Sequence, residues 1–224
     1  MNQRIFGKIL AYNGGLHVKI TNSMDNTVGS LTQTQRSIVI GSLLGDGYLR
    51  IAPGRRNAFL ECNHSFSARE YVDWKYKKLE LLCRSAPKMR FGNGNRKAYR
   101  FTTRQSSEFS SLYRWFYDNG KKRVPSDLKL DPLMLSVWFM DDGSKCRECD
   151  VYLNTQQFDI ENQHKCVVLL AGLNIESALN KDKTYWRVRI KKSSLPAFWN
   201  IIAPHMIPFM TYKLGYNPVE TFSA

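Results

Sequence analysis

The chain has 224 residues, 43% of them hydrophobic, and carries 33 Lys and Arg against 19 Asp and Glu for a net charge of +14. That hydrophobic content excludes a disordered tail, and the length supports a buried core without disulfide or metal staples. A positive field of this size points to a polyanion, nucleic acid first among them, with a generally basic enzyme as the plainer alternative. No run approaches the roughly 20 apolar residues of a membrane span. The opening MNQRIFGKILAYNGG shows no signal-peptide h-region or cleavage site, which leaves an intracellular protein of an organelle or a prokaryotic cytoplasm. An intein is not expected either, because the chain opens Met1-Asn2 and ends without a His-Asn pair before a nucleophile.

In chain order, residues 1–30 precede the first strong pattern and form an N-terminal extension. SIVIGSLLGDGYLR (37–50) then reads as a buried helix, apolar over two to three turns and stopped at Gly47. Strands are expected at Tyr48–Ile51 and Ala58–Phe66, a helix over Ala68–Arg84, strands at Lys88–Phe91 and Ala98–Arg104, and a helix over Ser106–Asn119. The segment Asn119–Asp131, with glycine and two prolines, reads as a link. PLMLSVWFMDDGSK (132–145) repeats the buried helix and its Asp-Gly stop. A strand at Val151–Gln157, a helix over Ile160–Gly172, strands at Leu173–Asn180 and Tyr185–Lys191, and a helix over Leu195–Ala203 follow. The order is helix, two strands, helix, two strands, helix, twice over: an α+β chain of two αββαββα repeats, 31–125 and 126–224. Each repeat closes on a lysine, Lys122 in GKKRVP and Lys213 in FMTYKLG.

Five cysteines form no disulfide framework. Cys146 and Cys149 make a CxxC, but His164-Lys-Cys166 is a poor second pair for zinc, so the thiols read as reduced and structural.

The strands show where the charge sits. Over residues 185–192, Trp186, Val188 and Ile190 alternate with Tyr185, Arg187, Arg189 and Lys191. Tyr99, Phe101 and Thr103 alternate in the same way with Arg100, Thr102 and Arg104, and Arg50 belongs to a third such strand. One solvated basic face would be ordinary. Recurrence on matching strands of both halves favours a surface for double-stranded DNA, whose major groove admits a two-stranded ribbon where duplex RNA does not.

An aspartate buried at a helix C-terminus opposes the helix dipole, and two such ends side by side bring like charges together. Asp46 and Asp142, aligned through their following glycines, therefore point to a divalent cation with hard oxygen ligands, magnesium above all, and to phosphodiester hydrolysis. A single Asp-Gly would be no more than a helix stop.

Gly41–Gly47 and Trp138–Gly143 resemble the two signature helices of the LAGLIDADG homing endonucleases, and the resemblance runs over about residues 31–224. LNTQQF (153–158) and IPFMTYKL (207–214) are similar to its single-chain branch, which includes the yeast mitochondrial omega-intron endonuclease. The resemblance implies signature helices packed at a pseudo-twofold axis under a saddle of antiparallel strands that grips DNA. It implies a monomer that binds magnesium (or manganese) through Asp46 and Asp142, with Gly45 and Asp141 beside them, and catalytic lysines Lys122 and Lys213. His64 and Gln156 fall where the family places water-organising side chains. Cleavage across the minor groove would leave short 3′ overhangs. One departure is Val137 and Asp141 opposite the small Gly41 and Gly45, which predicts asymmetric helix packing. An intron RNA maturase or a non-catalytic DNA-binding regulator on the same scaffold is the alternative.

Overall fold

The structure, a computed structural model, describes residues 30–92, 96–147 and 149–214, so most of the N-terminal extension lies outside the described residues. Helix α1 (Gln33–Leu44) begins at Thr32, whose hydroxyl accepts from the Gln35 amide while the Gln35 side chain accepts from the Thr32 amide. Helix α4 (Pro132–Asp142) begins at Asp131, which accepts from the Met134 amide at 2.7 Å. Asp131 also accepts from Ser37 Oγ at 2.5 Å and Gln33 Nε2 at 3.3 Å, so the cap of one helix holds the start of the other.

From that shared end the two helices run together with almost nothing between them. A methyl on Gly41 would meet the Met134 carbonyl at 2.6 Å and Val137 Cβ at 2.7 Å; one on Gly45 would meet Asp141 Cβ at 2.5 Å. The packing is close and, as the residue types require, asymmetric: glycines on α1 receive Val137 and Asp141 of α4.

Around each signature helix the same plan is built. Strands β1 (Tyr48–Ile51), β2 (Ala58–Ser65), β3 (Lys88–Phe91) and β4 (Lys97–Thr102) form an antiparallel sheet in the order β1-β2-β4-β3, with α2 (Arg69–Leu79) and α3 (Ser107–Phe116). Strands β7 (Gly143–Arg147), β8 (Asp150–Leu153), β9 (Ser177–Asp182) and β10 (Tyr185–Ile190) repeat it as β7-β8-β10-β9, with α5 (Ile160–Ala171) and α6 (Leu195–Ile202). The two αββαββα units share one apolar core that includes Ile38, Leu43, Phe101, Trp138, Phe139 and Val188.

Four expectations need correction. Helix α3 stops at Phe116, and Tyr117–Asp118 (β5) pairs with Lys121–Lys122 (β6) in a tight hairpin where a helix end and link were expected. Asn119 and Gly120 both have positive φ, 47° and 76°, the conformation that Asn-Gly hairpin turns require. Strand β7, unread in the sequence because GSKCR lacks an apolar alternation, pairs with β8 through a bulge between Lys145 and Arg147. The strand expected from Leu173 begins at Ser177, because α5 winds down through left-handed Asn174 (φ 58°) and an Ile175 amide bond back to Leu170. Trp186, assigned to the packing face, is still 38% exposed near the start of β10.

Candidate functional site

The C-terminal ends of α1 and α4 converge and deliver Asp46 and Asp142 to the same place. Asp46 is half exposed, with its Oδ2 3.6 Å from His64 Nδ1. Asp142 is more enclosed. Burial, then the charges of Asp46 and Asp141, push its carboxyl up to about 8. Gln157 bonds it: Nε2 donates to Asp142 Oδ2 at 3.1 Å and also reaches the Leu44 and Gly45 carbonyls.

Each helix end is closed by the lysine of its own repeat. Lys122, placed by the β5–β6 hairpin, donates from Nζ to the Gly45 and Gly47 carbonyls, both at 2.9 Å, and to Gln157 Oε1 at 3.0 Å. Lys213, at the end of a 3-10 turn (Pro208–Lys213), donates to the Met140 carbonyl at 2.6 Å and the Asp141 carbonyl at 3.2 Å. Cations at helix C-termini are favourable, and here they offset the acids beside them. Burial lowers both ammonium groups, Lys122 to about 8, even though the neighbouring aspartates pull the other way.

Asp141 does something the sequence did not show. Its side chain is fully buried in the helix interface and accepts from Lys75 Nζ at 2.8 and 3.0 Å. Lys75, on α2, is also fully buried and lies 4.5 Å from the centre of the Tyr71 ring. In the sequence, Lys75 stands in REYVDWKYKKL with Lys77 and Lys78, a pattern that reads as a solvated face. The sequence reading missed it, and the only available signal was Asp141 opposite a glycine, an acid in need of a counter-charge.

Which acids are free for a cation follows from this. Asp46, His64 and Asp141 have ligand atoms within 4.8 Å of one another. Asp141, however, already has an ammonium on both oxygens, while Asp46 and Asp142 have none within ion-pair reach among the described residues. Asp142 lies outside that cluster, but it is an enclosed acid driven toward its protonated form by burial and by the charge of Asp46, which a nearby cation would relieve. His64 is 10% exposed, and its Nε2 lies 3.7 Å from Asp141 without a hydrogen-bond partner. Burial is the largest cause of the lowered His64 pKa. Cys146 is exposed and Cys149 half-buried on the β7–β8 hairpin, while Cys166 is buried on α5.

One expected site residue changes. Residues 155–158 form a turn closed by the Phe158 amide on the Thr155 carbonyl, with Gln156 and Gln157 at its corner. Gln157 turns toward the acids; Gln156 is exposed and bonds to neither. Adjacent turn corners point in different directions, which a Gln-Gln pair in a sequence does not resolve.

The basic residues divide in a similar way. Arg50 and Arg100 both pair with Glu61, Arg187 with Asp182, Arg189 with Asp150, and Lys191 with Glu176. Arg104 stands beyond the end of β4, where its amide bonds to the Leu82 carbonyl, so it is not part of the strand's arginine row.

A model of the LAGLIDADG DNA endonuclease family matches residues 36–198. The chain is 30% identical over 89% of its length to cytochrome b mRNA maturase bI2 of Saccharomyces cerevisiae, and spans about half (52%) of that relative. It is 27% identical to probable intron-encoded endonuclease 1 of Wickerhamomyces canadensis, covering 97% of this chain and 99% of that one. The fold is similar to that of the homing endonuclease I-WcaI bound to its DNA recognition sequence, with a TM-score of 0.77, 25% identity, and coverage of 85% of this chain and 89% of that one.

Proposed function

The chain belongs to the LAGLIDADG DNA endonuclease family, and from that premise we propose that it is a homing-type endonuclease that cuts both strands of a long, near-asymmetric DNA duplex. The observation that carries this reading is the convergence of Asp46 and Asp142 at two lysine-closed helix ends, flanked by two four-stranded sheets with arginine-bearing faces. A pure binder has no use for clustered acids that oppose one another and repel phosphate.

Asp46 and Asp142 would hold magnesium or manganese, which supplies activation of the attacking water and neutralisation of the leaving oxygen. The Asp141 side chain is occupied by Lys75, so Gly45 and Asp141 would stand beside the ion only through backbone carbonyls, which already accept from Lys122 and Lys213. Lys122 and Lys213 hold positive charge where phosphate charge would grow. Gln157 ties the Lys122 ammonium to the Asp142 carboxyl and orients both. His64 lines the first half of the site beside Asp46. The arginine faces hold the duplex, with two unlike halves in one chain reading unlike half-sites as a monomer.

The test is selection of cut products from a randomised duplex library with magnesium, which yields activity and target together. An intron-RNA role has its own support in the maturase relative. Binding of a structured RNA with no duplex cut under any divalent metal would favour that role and remove the nuclease.

A further inference from the structure

A surface built only to attract phosphate would leave its cations free, yet the first sheet sets a carboxylate among them. Arg50 of β1 and Arg100 of β4 flank Glu61 of β2, and each extends Nη1 to it, at 3.4 Å and 3.1 Å. The registers Tyr48↔Glu61↔Thr102 put all three on one face, because Arg50 and Arg100 lie two residues from those partners. Glu61 is only 3% exposed, whereas the arginine side chains over it are 52% and 37% exposed.

A carboxylate there removes part of the attraction for DNA, so its contribution must be geometric. It fixes two long, rotamer-rich side chains and takes one nitrogen from each, leaving the rest of each guanidinium fork to present outward. The guanidinium fork matches the O6 and N7 acceptors of guanine. Two forks anchored to opposite oxygens of one carboxylate lie close together, and base pairs follow at a rise of about 3.4 Å. On the second sheet Arg189 and Arg187 have separate acids: Arg189 bonds Asp150 at 2.7 Å, and Arg187 bonds Asp182 at 3.1 Å while stacking 3.8 Å over Tyr152. Among the described residues, two arginines converge on one acid on the first face and not on the second.

We propose that Glu61 is a positioning residue that converges Arg50 and Arg100 on two closely spaced guanines of one half-site. The inference rests on the duplex-binding function proposed above. Bound duplexes would be selected from a randomised library in calcium, for wild type, Glu61→Gln, Arg50→Ala and Arg100→Ala, with melting temperatures recorded for each. The wild type is expected to select two guanines within about three base pairs, and each arginine variant to lose one of them by roughly tenfold or more. Glu61→Gln should flatten both positions, leave the others sharp, and bind random duplex at least as well as wild type. Retention of both preferences in Glu61→Gln, or arginine variants acting on positions far apart, overturns the inference. If Glu61→Gln does not fold, the spacing of the two positions lost in the arginine variants decides. A wild type that selects no sequence defeats duplex recognition itself, an outcome distinct from a sharp profile without the paired guanines.

Discussion

The two halves bring equivalent aspartates to one point and surround them differently. Asp46 is half exposed beside the His64 imidazole, which burial holds toward its neutral form, and no lysine or arginine pairs with it among the described residues. Asp142 is enclosed, bonded by Gln157 and pushed up to about 8. Beneath them, Gly45 of one half faces Asp141 of the other, and the acid is answered by Lys75 from the first half. The backbone plan is symmetric and the electrostatics are not. Duplicated scaffolds keep the pairing of helices and sheets because those depend on pattern, while buried charges need only be balanced somewhere in the chain.

The comparison breaks most completely if the acids act separately. A shared metal centre predicts that Asp46→Asn and Asp142→Asn each lose cutting of both strands, by more than the about 10–100-fold that outer-sphere partners account for, with duplex affinity in calcium kept within about tenfold. Single-strand nicking at near wild-type rate by either variant, read on supercoiled plasmid, would make the halves independent.

The buried pair comes next. Lys75→Met or Asp141→Asn leaves an unanswered charge or a stranded partner and should cost about 3–5 kcal/mol in urea unfolding, while the double variant costs clearly less than the sum. Additive losses would show that the two residues do not depend on each other.

Lys122→Met and Lys213→Met should each slow cleavage by about 10–100-fold and weaken binding far less, since both close helix ends at the acids. They should also differ. Lys122 reaches Gln157 and through it Asp142, so its loss should disturb metal affinity more than the loss of Lys213.

The last comparison concerns pH. The native Asp142 carboxyl titrates near 8 against an ordinary 3.8, so between those values the folded protein holds a proton that the unfolded chain has released. This group therefore subtracts stability as pH rises through that window, and the loss is complete above about 8. In chelator, Asp142→Asn should melt above wild type, by a margin that grows from about pH 5 to about pH 8. Magnesium should raise the wild type and not the variant. A margin that is flat in pH would place the carboxyl in its ordinary range.

Much of this was legible in the residues. Apolar runs ending in Asp-Gly gave both signature helices, and alternation gave the arginine row on β10 and the outward Arg100 on β4 because period two is a backbone property, though it carried Arg104 past the strand's end. The lysines were legible because each closes its repeat. The hairpin that aims Lys122 was also written in the sequence, as Asn119-Gly120, but the helical pattern before it was read too far. Lys75 and Gln157 were not legible. Nothing local distinguishes a buried lysine from its solvated neighbours Lys77 and Lys78, or one glutamine of a turn from the next; only the helix crossing does.

The glycine at position 45 also bears on ancestry. It stands where the pseudo-twofold axis makes each half face its own counterpart, so an ancestor assembled from two identical copies would have set like against like there. Two copies of the second half would now oppose aspartate to aspartate inside a gap that admits no methyl, and would lack the lysine, which only the first half carries. At this position the halves are complements and not copies. Severed, the second would find no mate in itself, and a chain rebuilt from two second halves would need a glycine opposite Asp141 and a lysine to answer it.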